Sequence, residues 1–91
     1  MAIKVSIVDD NEGIRSSLAT LIKRAPTLKL LGEYADAESA LKEIPTKAPD
    51  VVLMDINLPG MSGIRCVNAL KNLYPEMLFL ICLLLLKRQI L

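Results

Sequence analysis

Val51-Val52-Leu53-Met54-Asp55-Ile56-Asn57-Leu58-Pro59-Gly60-Met61 is the stretch that decides how this chain folds. Four apolar residues, two of them β-branched, stop at a carboxylate, and Asn57 to Gly60 then supply loop-forming residues. A short, unbroken apolar run suits a strand covered on both faces, as in a parallel sheet. The same pattern stands at the N-terminus, where Ala2–Val8 is rich in Val and Ile and ends at Asp9-Asp10. Leu28–Tyr34 and Met77–Cys82 read as two further strands, and neither ends in an acid.

The intervening segments have helical spacing. From Asn11, apolar residues recur at Ile14, Leu18, Leu21, Ile22 and Ala25, and Pro26 stops the run. Asp36 suits an N-cap for a helix with Ala37, Ala40, Leu41 and Ile44 on its inner face, which Pro45 is expected to close. Ser62 is placed to cap a third helix carrying Ile64, Val67, Leu70, Leu73 and Tyr74, with Pro75 at its end. The order β-α-β-α-β-α-β with short connections predicts an α/β fold with a parallel sheet. Right-handed crossovers leave few topologies. In the flavodoxin-like order 2-1-3-4, strands one and three lie together at the centre, and their carboxyl ends open into one crevice.

Both of those ends carry aspartates. Adjacent parallel strands lie about 4.8 Å apart, so Asp9, Asp10 and Asp55 should converge within roughly 5–7 Å, each ionised pair repelling by about 3 kcal/mol at an effective dielectric near 20. A hard, oxygen-liking divalent cation relieves such a cluster, and Mg²⁺ suits one or two carboxylates completed by a carbonyl, waters and a phosphoryl oxygen. A carboxylate beside such an ion can attack phosphorus to give an acyl phosphate, and Asp55, the lone acid at its strand end, is the candidate nucleophile. Each signal has a structural alternative. Asp9-Asp10 also favours the positive N-terminus of the first helix, as Glu12 does, and Asp55 also suits a turn. Cys66 and Cys82 read as core thiols, and Met54 and Met61 as packing.

Composition removes other classes. The 91 residues, of which 53% are hydrophobic, make one small domain. A formal net charge of +1, from 11 basic and 10 acidic residues, provides no basic field for nucleic acid, and three aromatics provide no stacking platform. The absence of His excludes a Cys–His zinc site and a His-dependent triad. Met77–Leu86 is about half of a membrane-spanning helix. A cytoplasmic location is expected, with no membrane span.

Val5-Ser6-Ile7-Val8-Asp9-Asp10-Asn11 and Val51 to Gly63 resemble the two acidic motifs of bacterial response-regulator receiver domains. The second stretch, continuing to Tyr74-Pro75, is similar to receivers of LuxR-type transcription regulators. The resemblance covers residues 1 to about 81. It implies that Asp55 takes phosphate from the phosphohistidine of a sensor histidine kinase. It further implies that Asp10 ligates Mg²⁺ directly, Asp9 acts chiefly through metal-bound water, and Asn57 contributes its backbone carbonyl. The only chemistry implied is Mg²⁺-dependent self-phosphorylation and dephosphorylation, with no other enzymatic activity.

The pattern departs from the family at its end. The family uses a Ser or Thr after strand four and a Lys after strand five. Here the former position falls near Leu83, and Lys87 follows too closely to be the latter. Residues 1–81 are therefore expected to form a partial, C-terminally truncated receiver lacking its last αβα portion, and residues 82–91 a divergent apolar tail. Three functions compete. The first is a phosphorylatable receiver. The second is a receiver that no longer switches and acts as a binding module, homo-oligomerising through the apolar C-terminal segment. The third, an aspartate-nucleophile phosphatase, is disfavoured because such enzymes place a second acid where this chain has Asn57. Direct nucleic-acid binding is not expected of this chain.

Overall fold

A computed structural model describes residues 2–82. Strands β1 (Ile3–Val8), β2 (Leu28–Tyr34), β3 (Val51–Asp55) and β4 (Leu78–Cys82) alternate with helices α1 (Glu12–Arg24), α2 (Ala37–Lys47) and α3 (Gly63–Leu73). All strand pairs are parallel and the sheet order is β2-β1-β3-β4, the flavodoxin-like arrangement expected from the chain. Val8 lies opposite Met54 in the β1–β3 ladder. One step further along both strands are Asp9 and Asp55. Leu83, Lys87 and the rest of the expected tail beyond Cys82 lie outside the described residues.

Alternation along the strands sorts the core into two layers. Val5 and Ile7 meet Ile14, Leu18, Ala19 and Ile22 of α1 on one face. On the other, Val8, Val52 and Met54 meet Ala37, Ala40 and Ile44 of α2 and Cys66 and Leu70 of α3. Two helices cover the second face, and among the described residues one helix covers the first. Val51 and Leu53 are accordingly half-buried, while Leu78 and Leu80 on the same side are exposed. A groove of about 210 Å³ runs there, with Val5, Leu53 and Leu80 among its apolar lining.

The helix starts follow from their caps. Asn11, Asp36 and Ser62 accept from the amides of Ile14, Ser39 and Arg65 at 3.0, 2.7 and 3.3 Å, each serving an amide that the first turn leaves without a helical partner. The end of α2 differs from the expectation. Pro45 lies inside the helix, which runs to Lys47 and closes on Ala48 in the left-handed region at φ 49°. Proline removes a single donor. The Thr46 hydroxyl donates to the Glu43 carbonyl at 2.8 Å and the Ala48 amide to Ile44 at 2.9 Å, so the last turn remains bonded.

Two expected inner faces are also rotated. Leu21 is exposed, because α1 rests on the sheet along the narrower stripe Ile14, Leu18, Ala19 and Ile22. In α3 the buried positions are Gly63, Cys66 and Leu70, with Val67 partly covered, whereas Ile64, Leu73 and Tyr74 point outward. Gly63 sets this rotation: a Cβ there would collide with the Asp55 carbonyl oxygen, so the helix turns its smallest residue against the strand end. Leu70→Ala is therefore expected to cost about 2–5 kcal/mol of stability, and Leu73→Ala within about 0.5 kcal/mol, as measured by urea denaturation.

Candidate metal centre

Asp9 and Asp55 finish the two central strands with the same local device. Asp9 Oδ1 accepts from the Asn11 amide at 2.9 Å, and Asp55 Oδ1 accepts from the Asn57 amide at 3.1 Å. In each turn a carboxylate bonds the main chain two residues on, a local contact that favours one rotamer. Asp9 is 1% exposed and Asp55 2% exposed, while Asp10 is exposed. One carboxylate oxygen from each of Asp9, Asp10 and Asp55 lies within 4.8 Å of the others. The three acids expected to converge do so. Asn57 reaches the cluster through the hydrogen bond that its backbone amide donates to Asp55.

At that spacing each ionised pair repels by about 3 kcal/mol with an effective dielectric near 20. Loss of hydration raises the Asp10 carboxyl above its ordinary value of 3.8, and a hydrogen bond with Asp55, repulsion from Asp55 and repulsion from Asp9 act in the same direction. The donor set is oxygen only, clustered, mostly buried and negative, which fits a hard divalent cation such as Mg²⁺ and does not fit a thiolate-seeking metal. Cys66, by contrast, is a buried core thiol that burial pushes up to about 11, with Glu38 adding to the rise.

Three supporting residues escaped sequence reasoning. Gly63 lets α3 approach the Asp55 carbonyl, and its amide donates to Ile56 at 3.1 Å. Glu38, at the start of α2, lies against the β3–α3 loop; its Oε2 accepts from the Met61 amide at 3.4 Å, and a Cβ on Gly60 (φ 75°) would come within 2.8 Å of that oxygen. Arg15 of α1 donates from Nη1 to the Asp9 main-chain carbonyl at 2.7 Å. The signal available for Arg15 was its position, a cation near a helix start where the dipole disfavours one.

Comparison with known proteins gives a consistent picture. A sequence profile described as "Response regulator receiver domain" matches residues 5–83. The chain is 38% identical over 72 residues to protein-glutamate methylesterase/protein-glutamine glutaminase 1 of Carboxydothermus hydrogenoformans, covering 79% of this chain and 21% of that protein. It is 34% identical over 79 residues to the DNA-binding transcriptional activator DevR/DosR of Mycobacterium tuberculosis, covering 87% of this chain and 36% of that one. Among solved structures, a LuxR-family two-component response regulator from an Aurantimonas species superposes with a TM-score of 0.83 at 31% identity, covering 89% of this chain and 58% of that chain. The chain thus spans about a fifth to just over a third of the length of these two curated relatives.

The raised Asp10 carboxyl has a consequence for stability. A native state that holds its proton above pH 3.8 binds more protons there than the unfolded chain, so metal-free stability falls as pH rises through that window. Asp10→Asn is expected to remove this fall, stabilising the metal-free protein by at most about 1 kcal/mol at neutral pH after solvent screening. The advantage should vanish below about pH 4 and be lost when Mg²⁺ is added. Urea titrations at several pH values, with and without Mg²⁺, check it.

Proposed function

The chain belongs to the response-regulator receiver family of two-component systems, and from that premise we propose that Asp55 is its phosphoacceptor, charged by a sensor histidine kinase with Mg²⁺ bound among Asp9, Asp10 and Asp55. The observation that carries this reading is the meeting of three carboxylates within 4.8 Å at the ends of the two central strands. Of the three, Asp55 is the one that comes from β3, so it faces the pair contributed by the β1 end. An oxygen of its carboxylate attacks the phosphorus of the kinase phosphohistidine in line, the P–N bond breaks, and the imidazole leaves. An aspartyl phosphate results.

Bound Mg²⁺ would supply cancellation of the charge on the equatorial phosphoryl oxygens. The remaining work belongs to the chain. Asp10, the exposed member of the cluster, would hold the ion directly, and the buried Asp9 would hold it chiefly through water. Asn57 would offer the ion its backbone carbonyl while its amide donates to Asp55. The Asx turn presents the Asp55 carboxylate in one orientation, which lowers the cost of reaching the in-line geometry. Such chemistry belongs in the cytoplasm, where a kinase's phosphohistidine is formed. The methylesterase activity named for one relative is a property of that longer protein, of which this chain covers 21%.

Incubation with a small acyl phosphate and Mg²⁺ is expected to add the mass of one phosphoryl group, measurable on the intact protein. Asp55→Asn and chelation of Mg²⁺ should each abolish the gain. Labelling that survives in Asp55→Asn overturns the assignment.

A second reading is favoured by one observation: β4 is one of the two edge strands among the described residues, with Leu78 59% and Leu80 57% exposed. An exposed apolar edge strand offers a template for pairing with another chain. In this reading the chain self-associates through β4 and the apolar residues 82–91. Sedimentation is expected to give a dimer that Leu80→Lys converts to a monomer. A monomer in both forms, at concentrations up to the millimolar range, removes this reading.

A further inference from the structure

Arg15 is an unusual residue for its place. It lies four positions past the Asn11 cap, where the helix dipole disfavours a cation. Helical side chains lean back toward the N-terminus, and here that carries the guanidinium to the ends of two strands. Nη1 donates to the Asp9 carbonyl at 2.7 Å, and Nε lies 3.9 Å from Glu33 Oε1. Glu33 belongs to β2 and pairs with Ile7 of β1, so one side chain on α1 spans β1 and β2 at their carboxyl edge. Its side chain is only 19% exposed.

The grip is on main chain. The Asp9 amide donates to the Tyr34 carbonyl at 3.0 Å, the Asp9 carbonyl accepts from Arg15, and Asp9 Oδ1 accepts from the Asn11 amide. The peptide plane joining Asp9 to Asp10 is thereby held at its carbonyl. We infer that Arg15 is a positioning residue for the metal centre, fixing the Asp9–Asp10 peptide so that both carboxylates stand ready for one ion. The inference rests on the Mg²⁺ site proposed above.

Electrostatics alone predicts the opposite effect, because removing a cation near three carboxylates tightens binding of another. The direction of the change therefore decides. Calorimetric titration of the full chain with Mg²⁺ is expected to show affinity about tenfold weaker in Arg15→Gln, the size of loss typical when a group supporting a metal ligand is removed. Arg15→Lys keeps the charge and lacks the planar fork that serves two acceptors at once. It should also bind Mg²⁺ several-fold more weakly. Ile22→Val, which trims the core under the far end of the same helix, lowers urea stability and should leave Mg²⁺ affinity unchanged.

Unchanged or tighter Mg²⁺ binding in the folded Arg15 variants overturns the positioning role. If Arg15→Gln does not fold, Arg15→Lys decides alone. Wild-type protein that binds Mg²⁺ and labels on Asp55, beside variants of unaltered affinity, sinks only the role of Arg15. Wild-type protein that binds no Mg²⁺ sinks the metal reading with it.

Discussion

Three carboxyl groups that bring one oxygen each within 4.8 Å of the others are the constraint on which the rest of this molecule depends. Left to themselves Asp9, Asp10 and Asp55 would separate, since each ionised pair repels by about 3 kcal/mol. The sheet opposes this with backbone hydrogen bonds. The β1–β3 ladder runs in register up to Val8 and Met54, and the next residue on each strand is an acid. Neither acid can move away without breaking a ladder between buried strands. The repulsion is thus carried by the two central strands of the sheet, and sites built on strands are held more accurately than sites on loops.

Around that pair the chain makes several contacts through its main chain. Asx turns orient Asp9 and Asp55. Tyr34 and Arg15 hold the Asp9 peptide from two sides, and Gly63 lets α3 rest on the Asp55 carbonyl. Contacts to carbonyls and amides hold these backbone segments in place. The exposed Asp10 completes the cluster from the solvent side.

Packing outside the site is lopsided in a way that follows from helix placement. Two helices bury Val52 and Met54 completely, and the opposite side of β3 and β4 leaves Leu53 half-covered and Leu80 exposed. The rotation of α3 belongs to the same account. Because Gly63 must face the strand end, Cys66 and Leu70 are drawn inward, and Ile64 and Leu73 turn to solvent.

Much of this could be read from the residues in order. Apolar runs ending in acids, proline and glycine punctuation, and capping residues are local signals, and local hydrogen bonding obeys them: Asn11, Asp36 and Ser62 each start a helix, and Asp9 and Asp55 end in one crevice. The inner face of α3, the continuation of α2 through Pro45, and the roles of Arg15, Glu38 and Gly63 were not legible there. A helical apolar pattern admits more than one rotation, and a close approach of backbone to backbone chose between them. Proline removes one donor, and its neighbours compensated. Arg15 meets Asp9 and Glu33 only once the helix has crossed back over the sheet. Sequence spacing specifies which residues share an element; which atoms meet between elements depends on the distance and rotation at which those elements pack.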